Sequence, residues 1–569
     1  MDMEQYQVIA SNDKALFSLK LHRGDGMLLL GMNWKTGKPP VDFVGFAIEY
    51  KEPGGQQYFA IKNRLSFTEK DGNFNPESLS TRLSPIQKFR WIHFPRNADM
   101  KGSFTYRVTP VFMSPANALS YGEAQEASIV LQRETYDGQL NVAYTRGFVS
   151  SQAFVDRYTA AAIPTLLPAQ ADDGLTFKPT NPKAEEALAW MGFEARSAIL
   201  EVLDNAIADT SAKVSVAAYD LNEPGVLERL EKLGNRMRVI IDDSGSHGEE
   251  HSAESQATTR LIASAGAGNV LRQHMRGLQH NKTIVARGNQ INSVVCGSTN
   301  FSWRGFFVQA NNAIILHGDG PVKLFQTAFD NYWENKPASF ASGASAGWQS
   351  LGLDKIDAQV SFSPHGSKNA ALDDVTKDIA LTESSLLFSL AFLYQTPGSI
   401  QDMIKTVASD PAKFVYGISD KEVTGLSLTT PNGKSTEVYP SALGKTAPPP
   451  FHEEPSGGGG TRMHHKFVVI DFDKPTARVY MGSYNFSQSA DHNNGENLLL
   501  IRDRRVAVSY TVEALRMFDH YQFRIKEKNS EDTNSPLVLT KPPQKAGEHA
   551  WWESSYSDPL KIRDRVLFS

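Results

Sequence analysis

Two stretches of the chain carry residue types that could act together on a phosphate ester. The first is Gln279-His280-Asn281-Lys282-Thr283-Ile284-Val285-Ala286, followed by Gly297-Ser298-Thr299-Asn300-Phe301-Ser302. The second is Met463-His464-His465-Lys466-Phe467-Val468-Val469-Ile470-Asp471, followed by Gly482-Ser483-Tyr484-Asn485-Phe486-Ser487. Side chains alternate along a strand, so His464 and Lys466 share one face and His465 faces away, into packing. The apolar run Phe467 to Ile470 reads as a strand buried on both faces. A His and a Lys therefore sit side by side at the mouth of a buried strand, and Gly-Ser-x-Asn adds hydroxyl, amide and backbone donors. Fixed positive charge, several donors and an imidazole that can attack or protonate make a pocket for phosphate.

One His-x-Lys alone carries no information. Here the distance from Gly297 to Asn312 equals that from Gly482 to Asn497, and the flanking pattern repeats as well. Phe177-Lys178-Pro179 and Phe362-Ser363-Pro364 open two matching halves. Each continues with a helix (184–209 and 370–382), a strand (214–219 and 386–394), a helix (224–233 and 400–408) and a strand (237–241 and 414–418). The motif strand comes next. After Gly-Ser-x-Asn a further strand follows (313–316 and 498–501), then a helix bearing Phe329-Asp330-Asn331-Tyr332 or Phe518-Asp519-His520-Tyr521. Alternating strands and helices predict α/β layers with a largely parallel sheet. The period is far longer than a solenoid repeat, so the expectation is a duplicated domain.

These motifs resemble the signature of the phospholipase D superfamily: His-x-Lys, then an Asp, then Gly-Ser-x-Asn. His464, Lys466, Asp471, Gly482, Ser483 and Asn485 fit it. The first copy departs, with Arg287 where Asp471 has its match. The resemblance covers residues 175–526 and implies a duplicated α/β sandwich, halves at 175–336 and 360–526, with His280 and His464 meeting at one seam. It also implies metal-free, cofactor-free cleavage of a phosphodiester through a phosphohistidine. Lys282 and Lys466 would hold the non-bridging oxygens, with Ser298, Asn300, Ser483 and Asn485 as further donors. Glu496 and Asn311 occupy matched positions, and in the family such a residue orients the imidazole. Paired by half, Glu496 would serve His464 and make it the resting acid, because a carboxylate raises an imidazole's pKa and an amide does not. His280, paired with Asn311, would then be the nucleophile. In the family the Asp mainly buttresses the motif strand, so Arg287 bears on stability more than on the nucleophile.

Residues 1–150 show short alternating apolar runs divided by Gly24-Asp25-Gly26, Pro53-Gly54-Gly55 and Asp71-Gly72-Asn73. That pattern predicts an all-β sandwich, faintly like a fibronectin III or immunoglobulin module, for docking or structure. Two inserts precede the motifs. Ser244–Gly277 includes His247-Gly248-Glu249-Glu250-His251, which has a zinc-peptidase spacing but no apolar periodicity to place both imidazoles on one helical face. A solvated loop is the expectation there. Thr424–Arg462 includes Gly457-Gly-Gly-Gly, consistent with a flap or a plain surface loop. The tail, 527–569, carries Trp551-Trp552, expected to pack back onto a domain.

The chain has 569 residues, formal net charge −5 and a single cysteine, Cys296. An intrachain disulfide and an all-cysteine metal site are excluded. Met1 to Lys20 lacks the pattern of a signal peptide, and no run of about 20 apolar residues exists, so a cytoplasmic location is expected. With both motifs on one chain, a monomer can be complete. Three functions follow: cleavage or transfer at a phospholipid, a nuclease acting on DNA or RNA, and a binding module that lost chemistry. All four His and Lys are present, which disfavours the third. The mildly acidic chain shows no basic track for nucleic acid, which favours lipid.

Overall fold

The structure is a computed structural model that describes residues 6–68, 79–131, 134–147, 154, 157–159, 162–419, 437–438, 463–532 and 537–569. The glycine-rich part of the second insert lies outside the described residues. The chain forms two compact units. One comprises Met1–Arg133, Val508–Arg516 and Gln522–Ser569; the other comprises Glu134–Ala507 and Met517–Tyr521.

The first unit is built on two antiparallel sheets. One orders Gln7–Ile9, Phe17–Gly24, Met27–Trp34 and Arg90–His93. The other joins Phe59–Ala60, Phe43–Lys51, Ser103–Met113 and Leu119–Tyr121, with Gln125–Val130 also on Ser103–Met113. Alternate residues such as Phe17, Leu19 and Leu21 meet Phe46, Phe104 and Tyr106 in one core, as period-2 burial requires. The tail joins this unit: Trp551 Nε1 donates to Phe43 O at 3.0 Å and Trp552 Nε1 to Pro40 O at 3.2 Å.

The second unit contains both motif halves, and its sheets share one order. The first runs Leu140–Tyr144, Asn312–His317, Asn292–Gly297, Lys282–Arg287, Lys213–Ala218, Met237–Ile241, Val270–Arg272. The second begins with Gln349–Ser350. It continues Asp357–Ser363, Glu496–Arg502, Arg478–Gly482, Lys466–Ile470, Ser385–Leu390, Phe414–Ile418, Glu437–Val438. Three expectations change here. The sheets are mixed, because each motif strand forms a short hairpin with the Gly-Ser strand and must run antiparallel to it. Leu140–Tyr144 belongs to the first motif sheet, so the β unit ends near 133 rather than 150. That strand pairs with Asn312–His317 as Asp357–Ser363 pairs with Glu496–Arg502, so it, and not Phe177-Lys178-Pro179, matches the opening of the second half. Third, the Ser244–Gly277 insert is structured, with helix Ala253–Ala265 capped by Ser252 and strand Val270–Arg272.

The glycine of Gly-Ser is dictated by close approach. A Cβ at Gly297 would lie 2.6 Å from Asn312 O, and one at Gly482 would lie 2.2 Å from Asn497 O. Both also have positive φ, 129° and 151°, which favours glycine.

Asp471 is fully buried and accepts the N–H groups of Glu383, Ser384 and Ser385 at 2.7–3.2 Å. It ties the motif strand to the start of its neighbour. Arg287, exposed at the matching place, cannot accept. Asp209 does the work from the neighbouring strand's side, taking Ser211 N at 3.0 Å and Gln290 N at 2.7 Å. The carboxylate has changed strands while the tie has stayed. Asp471→Ala should therefore cost about 3 kcal/mol, since several buried donors lose their acceptor. Asp209→Ala should also lower the melting temperature, and Arg287→Ala should leave it near wild type. Thermal unfolding of the three variants checks this; a loss in Arg287→Ala as large as in Asp209→Ala would contradict it.

Candidate functional site

His280 and His464 each sit just ahead of a motif strand, buried to 4% exposure. Both stretches lie beyond the end of their own motif strand and pair with the opposite half. Gly495 N donates to Leu278 O at 2.8 Å, and His464 N donates to Ala310 O at 3.0 Å. Gln279 bridges Gly495, and Ala310 bridges Met463. Asn497 Nδ2 reaches Asn281 Oδ1 at 2.8 Å, and Asn312 Nδ2 lies 3.2 Å from His465 Nδ1. His465 is fully buried, on the far face from His464 as expected.

The same exchange decides what stands behind each catalytic candidate. His280 Nδ1 lies 3.0 Å from Glu496 Oε2, and His464 Nδ1 lies 2.9 Å from Asn311 Oδ1. The pairing expected from sequence, Glu496 with His464 and Asn311 with His280, is inverted. Residues matched along the chain serve the partner half because the seam swaps them. Each acceptor is itself held. Asn494 Nδ2 donates to Glu496 Oε1 at 2.8 Å, and Tyr332 Oη donates to Glu496 O at 3.2 Å. Ser298 Oγ donates to Asn311 Oδ1 at 2.9 Å and accepts Asn312 N at 3.1 Å. Ser483 Oγ accepts Asn497 N at 3.0 Å. Both Gly-Ser serines thus fix the strand that supplies the orienting residue.

Lys282 Nζ donates to His280 O at 2.5 Å and lies 4.6 Å above the Tyr219 ring. Lys466 Nζ lies 3.0 Å from both His464 Nε2 and His464 O, and 5.6 Å from the Phe392 ring centre. Asn300 Nδ2 donates to Asp220 Oδ2 at 2.7 Å. The amide oxygens of Asn300 and Asn485 are buried without partners; turning the Asn485 amide over would present its NH₂ to an anion, whereas Asp220 fixes the Asn300 amide, whose second N–H is left to donate.

Burial, then Lys282, Lys466 and His464, hold His280 well below the usual imidazole range. Burial, then Lys466, Lys282 and Arg304, do the same to His464. Burial also lowers Lys282 to about 7, against the pull of Asp220, Glu496 and Asp242, lowers Lys466 further, and lifts Glu496 to about 8. Two lysines confined with two imidazoles make a cavity short of negative charge. An anion entering it relieves all four groups.

Beside this centre lies a cavity of about 440 Å³, bordered by Leu278, Phe392, Ile400, Asn485, Phe486 and Asn494. Among the described residues, none that lines it is charged.

Sequence reasoning missed Tyr219, Asp220 and Asp242 and placed His247 in a solvated loop; the four crowd together beside His280 and Gln279. Asp220, His247 and Glu254 bring ligand atoms within 4.8 Å of one another and could hold a metal ion. The expected loop histidine His251 is exposed and apart from them. Both His247 nitrogens face carboxylates, Asp242 at 2.8 Å and Asp220 at 3.3 Å. Against the opposing effect of burial, those contacts raise His247 to about 10, so a proton supplies the positive charge there. A separate Ser361–His365–Asp491 array has triad-like distances of 2.8 and 2.6 Å. All three residues are buried to 1% or less, so they brace the segment before Glu496 and offer no nucleophile to a substrate. No helix among the described residues is long and apolar enough to cross a membrane.

A family model described as cardiolipin synthase, PLD-like domain, matches residues 203–333 and 436–518. The phospholipase D of Rickettsia prowazekii (strain Madrid E) is 49% identical over 47 residues, which is 8% of this chain and 21% of that protein. The chain therefore matches about a fifth of the length of this curated relative. The phosphatidylserine synthase of Haemophilus influenzae Rd KW20 superposes with a TM-score of 0.41 at 14% identity, covering 66% of this chain and 93% of that one. NucT from Helicobacter pylori gives 0.20 at 21% identity, over 29% and 98%. With two His-x-Lys and Gly-Ser-x-Asn motifs meeting at one seam between duplicated α/β halves, and a matching domain model across both, this chain belongs to the phospholipase D superfamily.

Proposed function

We propose that this protein cleaves or transfers phosphodiesters of phospholipids through a phosphohistidine on His280. The observation that carries the proposal is the unequal backing of the two imidazoles: a carboxylate behind His280 and an amide behind His464. A nucleophilic imidazole gains positive charge as its N–P bond forms; burial holds Glu496 largely protonated until then, and the developing charge favours its carboxylate form, which stabilises the imidazolium. A general acid must give its proton up, and the neutral Asn311 orients His464 without making it hold tighter. His280 thus remains the candidate nucleophile, but for a reason opposite to the one its place in the chain suggested.

In the first step the His280 Nε2 lone pair attacks phosphorus. The bond to the leaving oxygen breaks, and that oxygen takes a proton from His464 Nε2. In the second step His464 accepts a proton from water or an alcohol as its oxygen attacks, and the P–N bond returns its electrons to His280. Burial, then Lys466, Lys282 and Arg304, disfavour the charged form of His464; the diester's negative charge offsets those cations, so substrate itself favours charging of the acid. The lysines and the amides of Asn300 and Asn485 hold the non-bridging oxygens.

The uncharged cavity beside Asn485 supports lipid over nucleic acid. A nucleic acid carries a further phosphate at each nucleotide, and each would need a cation or open water. An uncharged, partly apolar cavity suits a glycerol ester instead.

Turnover of a phospholipid in mixed micelles, in EDTA, should fall about 1,000-fold or more in His280→Asn and in His464→Asn. Cleavage of labelled single-stranded DNA or RNA without any lipid turnover would reverse the substrate assignment. Glu496→Gln should lower kcat by about 100-fold, and Asn311→Ala by clearly less; equal losses would contradict the unequal roles. Lys282 is charged below about 7 and uncharged above it, so kcat/KM for an anionic diester should fall on the alkaline side of that pH. A flat profile from about pH 6 to 9 would contradict a binding role for that charge.

A further inference from the structure

The insert that places His247 beside the first motif has no part in the chemistry above. Its 3₁₀ turn, Gly245–Gly248, is pinned by its own backbone, because His247 O accepts Arg272 Nη2 at 2.5 Å and Ser252 Oγ at 2.8 Å. The ring then spans two strand ends. Its Nδ1 meets Asp242 Oδ2 at 2.8 Å, just past Met237–Ile241, and its Nε2 faces Asp220 Oδ1 at 3.3 Å, just past Lys213–Ala218. Each carboxylate has a second duty on a motif residue. Asp242 Oδ1 accepts Gln279 N, next to His280, at 2.6 Å. Asp220 Oδ2 accepts the Asn300 amide at 2.7 Å. Between them the Tyr219 ring lies 4.6 Å from the His247 ring and 4.7 Å from the His280 ring, with Lys282 Nζ over its face.

We propose that His247 is a positioning residue of the first motif: a cation, hydrogen-bonded to Asp242 and ion-paired with Asp220, that joins the carboxylate gripping Gln279 to the one gripping Asn300, and balances their charge beside Lys282. A neutral imidazole has one N–H and could satisfy only one of the two carboxylates. A ring that faces a carboxylate at each nitrogen is therefore best satisfied when charged, and the same charge that closes the clamp tempers the field on Lys282. The groups facing this ring are Asp220, Asp242 and Glu254. Lys282 and Arg304 face Asp220, and Glu496 faces Lys282. In the second half Phe392 stands near Lys466 and His464, where the first half has Tyr219 backed by this ionic clamp.

The role rests on the motif being an oxyanion site, so the test reads binding and ring charge separately from turnover. Inorganic sulfate is the probe, because its own charge is constant across the range. In His247→Gln the two carboxylates lose their counter-ion and hold Lys282 protonated longer. The pH above which sulfate affinity falls should rise by about one unit, while His247→Lys should restore the wild-type value. Ring-labelled histidine NMR of the wild type should show His247 charged up to at least about pH 9. A lowered melting temperature in both variants with no shift in the sulfate profile would overturn the proposal, as would a neutral His247 at pH 7. So would one equivalent of zinc bound by the wild type and lost in His247→Gln, because the metal would then replace the proton. Failure of sulfate to bind any form would count against the phosphodiester site itself, and the ring charge would still decide the role of His247.

Discussion

Each imidazole at this centre takes its orienting hydrogen bond from the opposite half of the molecule. His280 depends on Glu496, and His464 on Asn311. Neither half holds a complete site, and the seam that joins them must keep its register to within the tolerance of a hydrogen bond. The surrounding structure serves that constraint. Backbone pairing of Leu278 with Gly495 and of His464 with Ala310 locks the two stretches. The Gly-Ser glycines let the strands beneath approach closely, and the serines fix the strands that present the acceptors. Burying two lysines and two histidines together is costly. It is sustained by these bonds and creates the cation-rich cavity in which an anion is welcome.

Duplication supplied two similar frames, and the differences between them assign the work. The strand tie is a carboxylate in both, but it comes from Asp471 in one half and from Asp209 on the neighbouring strand's side in the other. The ring near each lysine differs as well. Tyr219 adjoins Asp220 and His247, whereas Phe392 adjoins an uncharged cavity. One side of the centre is ionic and the other uncharged.

Motif residues, the succession of strands and helices, and duplication were legible in the chain because they are local. His-x-Lys beside an apolar run dictates a buried strand with both groups at its mouth, and Gly-Ser-x-Asn at matched distance in each copy marks the repeat, while the antiparallel hairpin between the two was not foreseen. What depends on contacts across the seam was not legible. Glu496 is matched in the chain to the half that holds His464, yet folds against His280, and no spacing rule encodes that exchange. Arg287 looked like a missing buttress because Asp209, far away in sequence, carries the replacement. Leu140–Tyr144 fell inside the bounds of the β domain because a local apolar pattern does not say which sheet a segment joins. His247 read as part of a solvated loop because its partners, Asp220 and Asp242, lie on two other strands.

The central claim is that His280 bears the covalent intermediate. The most direct measurement is to mix a phosphorus-labelled diester with the His464→Asn variant, quench in base, and locate the label by peptide mass spectrometry. Acid-labile phosphate on His280, absent from a His280→Asn, His464→Asn double variant, is the expected result. Label on His464 in a His280→Asn variant, with none on His280 in the reciprocal one, would contradict the account and reverse the two roles.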